Sequence, residues 1–179
     1  MMVSIDGYFE GVNHDLSWHN VGAEFNAFVH EQQNGHVDTI LFGHRTYDLM
    51  ASFWPKEQGM TTDPETARFM NETPKIVASH TPFTPTWDRT TVVSTDIMQE
   101  IEKLKTQPGK DIAIFGSNNL CVSLMEKDLI DEFRIMVSPV VLGSGNPIFT
   151  GLSKRIKLNL TKTREFKSGN VLHCYILAK

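Results

Sequence analysis

The sequence predicts an α/β protein: a mixed, mostly parallel eight-stranded sheet with helices on both faces and a C-terminal antiparallel hairpin. Three observations carry that expectation. Apolar β-rich runs alternate with helix-period runs through most of the chain. Capping residues stand at several of the helix starts. The tail breaks the alternation, because runs 157–166 and 171–177 flank Lys167-Ser168-Gly169-Asn170, a turn-rich segment that reads as a hairpin. At 179 residues the chain suits one domain, 1–179, with a substantial core.

The elements follow in order. Residues 1–4 form a short first strand, and a loop rich in Asp, Gly, Asn and His runs on to His19. Asn20 can cap a helix whose stripe is Val21, Phe25, Phe28 and Val29. Residues 39–43 are an apolar strand ending in glycine, followed directly by a short helix over 45–50. Residues 51–60, with Phe53-Trp54-Pro55, read as a loop. Asp63-Pro64-Glu65 is a strong helix start: a capping carboxylate, then proline at the first helical position. Strands are expected at 75–78 and 91–93. Asp96 and Gln99 open a helix with Ile97, Ile101 and Leu104 inward. A strand over 112–115 turns through Gly116-Ser117-Asn118-Asn119 into a helix carrying Leu120, Leu124 and Met125, and 132–137 is the sixth strand.

Composition narrows the function. A net charge of −4 with no basic block argues against a nucleic-acid surface. No apolar run is long enough to span a bilayer, and residues 1–6 carry no secretory pattern. The two cysteines, Cys121 and Cys174, suit a reducing compartment, so a cytoplasmic location is expected. The histidines lack HExxH or CxxC spacing, so no metal site is expected.

Three strand-to-helix turns have phosphate-binding character. Gly43-His44-Arg45-Thr46 offers backbone N–H groups, a guanidinium and a hydroxyl at a helix start; a solvated helix cap would look similar. Phe115-Gly116-Ser117 lets a ligand approach the backbone beside a helix N-terminus, without GxGxxG or a Walker pattern. Ser79-His80-Thr81 follows a strand with hydroxyls and an imidazole; a polar loop is the alternative. Asp6, beside Gly7, could face a substrate or make an Asx-turn, and Glu24 could be a proton donor, a substrate anchor or a solvated helix residue.

In that order the motifs resemble the dihydrofolate-reductase-like family related to the riboflavin-biosynthesis reductase domain. The resemblance rests on Ser4-Ile5-Asp6-Gly7-Tyr8, on Ile40 to Tyr47 with Trp54-Pro55, and on Pro74 to Ser79. Ile114 to Ser117, Leu129 to Glu132 and Ser138 to Gly145 continue it, so it spans nearly the whole chain. It implies a three-layer dihydrofolate-reductase-like fold and NADPH across the strand ends. NADH is also possible, because His80 stands where relatives often carry arginine. Gly43, Arg45, Thr46, Gly116 and Ser117 would hold cofactor phosphate, with Ser79 and His80 near the adenosine ribose. The implied activity is hydride transfer to a small unsaturated substrate of pterin, folate or ribityl-aminopyrimidine type, with Asp6 and Glu24 as candidates for substrate contact or proton supply. A non-catalytic nucleotide-binding or sensing protein is the alternative. The resemblance also implies a homodimer, for which Val137, Val140, Val141 and Leu142 offer a surface, though a core strand explains them equally well.

Overall fold

The structure, a computed structural model, describes residues 1–115 and 118–178. The chain runs β1 (Met2–Ser4), β2 (Tyr8–Glu10), a 3₁₀ turn (Val12–His14), α1 (Ala23–Gln33), β3 (Val37–Gly43), α2 (His44–Ala51), α3 (Glu57–Thr62) and α4 (Pro64–Glu72). It continues with β4 (Lys75–Ala78), β5 (Thr90–Val93), α5 (Ile97–Lys105), β6 (Asp111–Ile114), α6 (Asn118–Glu126), β7 (Glu132–Ser138), β8 (Asn146–Pro147), β9 (Leu158–Glu165) and β10 (Val171–Leu177).

The protein is α/β, and all eight expected strands are present. They do not form one continuous sheet among the described residues. They divide into two four-stranded sheets, β1-β7-β10-β9 and β5-β4-β3-β6, with a separate β2-β8 ribbon. Alternating runs reveal strands, but which edges pair depends on segments far apart in sequence. β2 and β8, of three and two residues, are too short to show a period of two. Two helices also differ from expectation. α3 begins inside the segment read as a loop and runs two residues past it; its Gly59 looks like a loop residue, yet a Cβ there would sit 2.9 Å from the Trp54 Cα. α1 begins only after Gly22, so Val21 falls outside it and is exposed. Asn20 donates to the Ser168 carbonyl at 2.7 Å.

The chain packs as two compact units, Met1–Asn26 with Cys121–Lys179, and Ala27–Leu120. In the first unit β1 lies parallel to β7, and β7, β10 and β9 continue antiparallel as the expected hairpin sheet. Val141 is exposed, while Val137, Val140 and Leu142 are half-buried. In the second unit all three ladders are parallel. Its helices start where the sequence places caps: the Asp63 carboxylate accepts from the Thr66 N–H, and that of Asp96 from Met98 and Gln99. No helix among the described residues is long and apolar enough to cross a membrane.

The core of the second unit is Ile40, Phe42, Tyr47, Met70, Val77 and Trp87. Tyr47 does more than fill space. Its hydroxyl accepts the backbone N–H groups of Thr86 and Trp87 at 2.9 and 3.0 Å, tying the β4–β5 connection to α2. Tyr47→Phe leaves both donors without this partner and should lower stability by about 1–3 kcal/mol. Urea unfolding checks it; an unchanged midpoint would mean the hydroxyl does not hold this connection.

Candidate functional site

From β3 the second unit's sheet steps through β4 to β5 in one direction, while β6 lies on the other side of β3. The strand order therefore reverses between β3 and β6. In open parallel sheets, ligands bind outside the carboxyl ends of the strands at such a reversal. Gly43 is in register with Ala78, Ala78 with Val93, and Leu41 with Ile114. The segments leaving β3, β4 and β6 thus emerge on one edge. That edge gathers Gly43, Arg45, Thr46, Ser79 and His80 from two separate turns. Gly116 and Ser117 lie outside the described residues; Phe115 leads to them from β6, and α6 follows at Asn118.

Gly43 is the N-cap of α2, in extended backbone and without a side-chain cap hydrogen bond. The helix N-terminus, where N–H dipoles favour an anion, is therefore not covered by its own cap side chain. Arg45 is exposed, Thr46 half-buried and His80 exposed. Ser79 is differently engaged. Its hydroxyl donates to the Thr81 carbonyl at 2.7 Å, accepts the Thr81 N–H at 3.3 Å and lies 3.1 Å from His44 Nδ1. The His44 ring stacks on Phe83, centroids 4.0 Å apart and planes 8° from parallel. Sequence reasoning weighed the His44-Arg45-Thr46 run but gave His44 no role; its order on Phe83 depends on a residue 39 positions later.

Asp6 and Glu24 belong to the first unit. Asp6 accepts the N–H groups of Leu142 and Gly143 at 3.1 and 2.7 Å. The Ser4 hydroxyl, with those N–H groups, holds its carboxyl below the usual carboxylate range. Asp6 is thus ionised at neutral pH: it can accept from a substrate N–H but has no proton to give. Glu24 accepts the Lys167 N–H at 2.8 Å, in the β9–β10 turn. Each carboxylate is thus bonded to a loop. A third acid escaped the sequence reading. Glu10 is buried and accepts from Asn146 at 2.5 Å, with His14 Nδ1 3.0 Å away. Its partner Asn146 is 136 residues distant, and no local pattern signals that. Burial raises the thiols of Cys121, to about 11, and of Cys174, so neither is a ready nucleophile.

A family description, RibD C-terminal domain, matches residues 1–172. The uncharacterized protein YyaP of Bacillus subtilis is 33% identical over 177 residues, covering 98% of this chain and 91% of that protein. Among solved structures, a putative riboflavin biosynthesis protein from Shewanella sp. PV-4 superposes with a TM-score of 0.78 at 24% identity, covering 100% of this chain and 97% of that one. Dihydrofolate reductase from Enterococcus faecalis, complexed with NADP(H), gives a TM-score of 0.63 at 10% identity, covering 99% and 94%.

Proposed function

Because the chain belongs to the RibD C-terminal domain family, we propose that it is an NADPH-dependent reductase of a small unsaturated heterocycle, with the adenosine phosphates held at the β3–β6 edge. The observation that carries this reading is the reversal of strand order beside Gly43, where an α2 start without a side-chain cap and the exposed Arg45 stand together. This donor set fits a phosphate: backbone N–H groups, a guanidinium and a hydroxyl, with no carboxylate among the named residues. The backbone at Gly43 and the side chains of Arg45 and Thr46, with Gly116 and Ser117, would hold the pyrophosphate, and His44 and His80 the ribose end.

NADPH, when bound, supplies a hydride. The protein's own part is to orient the ring and hold the substrate. Solved relatives point to the substrate class. A Thermotoga maritima deaminase and 5-amino-6-(5-phosphoribosylamino)uracil reductase shares the fold with a TM-score of 0.67 at 15% identity, this chain covering 55% of it. The proposed substrate is therefore of aminopyrimidine, pterin or folate type, which presents N–H groups that an ionised Asp6 can accept.

The test is Arg45→Ala. Loss of a charge-assisted phosphate bond should weaken NADPH binding by about 1.5–3 kcal/mol, roughly ten- to a hundredfold in Kd. Fluorescence titration reads it, and an unchanged Kd takes Arg45 out of the site.

A further inference from the structure

Of the chain's asparagines, only Asn34 is followed by glycine. Asn34-Gly35 stands in the short connector between α1 and β3, and both residues are exposed. Gly35 has φ +81°, and nothing stands within 4 Å of a Cβ built there. The side-chain amide of Asn34 donates to Glu65 Oε1 at 2.5 Å. Glu65 Oε2 lies 3.1 Å from His30 Nδ1, and His30 Nε2 lies 2.9 Å from Asp63 Oδ1. The end of α1 is thus fastened to the start of α4 through Asn34 and His30.

We propose that Asn34 is a site of spontaneous covalent modification, restrained by Glu65, whose product turns this fastening into a repulsion. The backbone nitrogen of Gly35, giving its proton to solvent base, attacks Asn34 Cγ. A nitrogen–carbon bond forms, the Cγ–Nδ2 bond breaks, and the amide nitrogen leaves as ammonia. Water then opens the cyclic imide at either carbonyl, leaving aspartate or isoaspartate; nothing is oxidised or reduced. Glycine at the attacking position removes the Cβ that would crowd the ring closure. An exposed connector leaves room for that closure and admits the water. Glu65 acts against the reaction. It holds the nitrogen that must leave, and so restricts the rotation that brings Cγ to the Gly35 nitrogen. In the product a carboxylate replaces that nitrogen. It meets Glu65 at like charge and stands at the negative end of the α1 dipole. The isoaspartate form also lengthens the main chain just before β3.

The experiment incubates the whole protein in warm, mildly alkaline buffer beside a synthetic peptide of residues 29–40, the unfolded reference. Peptide mapping by mass spectrometry and an isoaspartate assay follow both. Residue 34 should convert in the protein several-fold more slowly than in the peptide, and ahead of every other asparagine. Glu65→Ala should raise the protein's rate toward that of the peptide, and Asn34→Gln should abolish the signal. Asn34→Asp, standing in for the product, should lower the urea midpoint, and by less in a Glu65→Ala background. An Asn34 still intact when the peptide has fully reacted, or a rate that Glu65→Ala leaves unchanged, overturns the assignment. An Asn34→Asp midpoint equal to that of the wild type overturns the repulsion.

Discussion

Gly145→Ala should be among the most damaging single-methyl changes in the chain. Gly145 has φ +144°, a conformation that L side chains rarely adopt. A Cβ there would overlap the Glu10 carbonyl oxygen and lie 3.0 Å from the Gly11 Cα. The obstacle is backbone, so no side chain can rotate away. The methyl group must push β8 off β2, where Asn146 pairs with Glu10. The same movement pulls Asn146 Nδ2 from the buried Glu10 carboxylate. Strain plus the lost hydrogen bond to a buried carboxylate should cost about 2–5 kcal/mol. Gly143→Ala is the comparison: its φ is also positive, at +72°, but nothing stands within 4 Å of a Cβ there, so about 1 kcal/mol of αL strain is expected. Equal losses for the two variants would show that the close approach to Glu10 does not matter.

Lys75→Ala should cost about 2–4 kcal/mol, through a cavity and two carbonyls left without their cation. Lys75 opens β4 yet is 1% exposed. Its ammonium donates to the Thr73 carbonyl at 2.7 Å and the Asn71 carbonyl at 3.4 Å, at the C-terminal end of α4, and lies 4.6 Å from the centre of the Trp87 ring. It thus caps α4 where the helix dipole favours a cation. Burial, reinforced by Arg89, pushes its pKa down from 10.5 to about 8. Below about pH 8 the lysine is protonated folded and unfolded, and the burial cost is constant. Between about 8 and 10.5 the unfolded chain binds more protons than the folded one, so this group's contribution makes stability rise with pH, by up to about 3 kcal/mol. Lys75→Met should lack that rise. Chemical denaturation across that range compares the two; parallel profiles would mean that Lys75 does not titrate low.

The legible parts of the fold were those with local signatures. Asp63-Pro64 and Asp96 mark helix starts because a cap acts within three residues. The strands at Leu41, Val77 and Met136 announce themselves as apolar runs. Glycine ends β3 where the chain must turn. What stayed hidden depends on distant partners. The split into two sheets rests on edge pairing; the ribbon rests on Glu10 meeting Asn146. Gly59 lies in a segment that reads as a loop, and its place in α3 depends on the Phe53–Trp54 backbone it packs against. At the candidate site, chemistry of residue types pointed to Arg45, Thr46, Ser79 and His80, and the parallel register brings their turns to one edge. It did not show that the Ser79 hydroxyl is already engaged, by Thr81 and by His44. Asp6 reads as a substrate contact or an Asx-turn and Glu24 as a proton donor, an anchor or a solvated residue, because their backbone donors at Leu142, Gly143 and Lys167 lie more than a hundred residues away.

The most direct test of the cofactor seat is a titration of NADPH into nitrogen-15-labelled protein, followed at each backbone amide. The expected result is saturable shifts at Gly43 to Thr46, at Ser79 to Thr81 and at Phe115 to Asn118, with the β7–β10–β9 hairpin region far less affected. Saturable binding that leaves the amides of Gly43 to Thr46 unmoved, or no binding at millimolar cofactor, would contradict the assignment of this edge as the dinucleotide site.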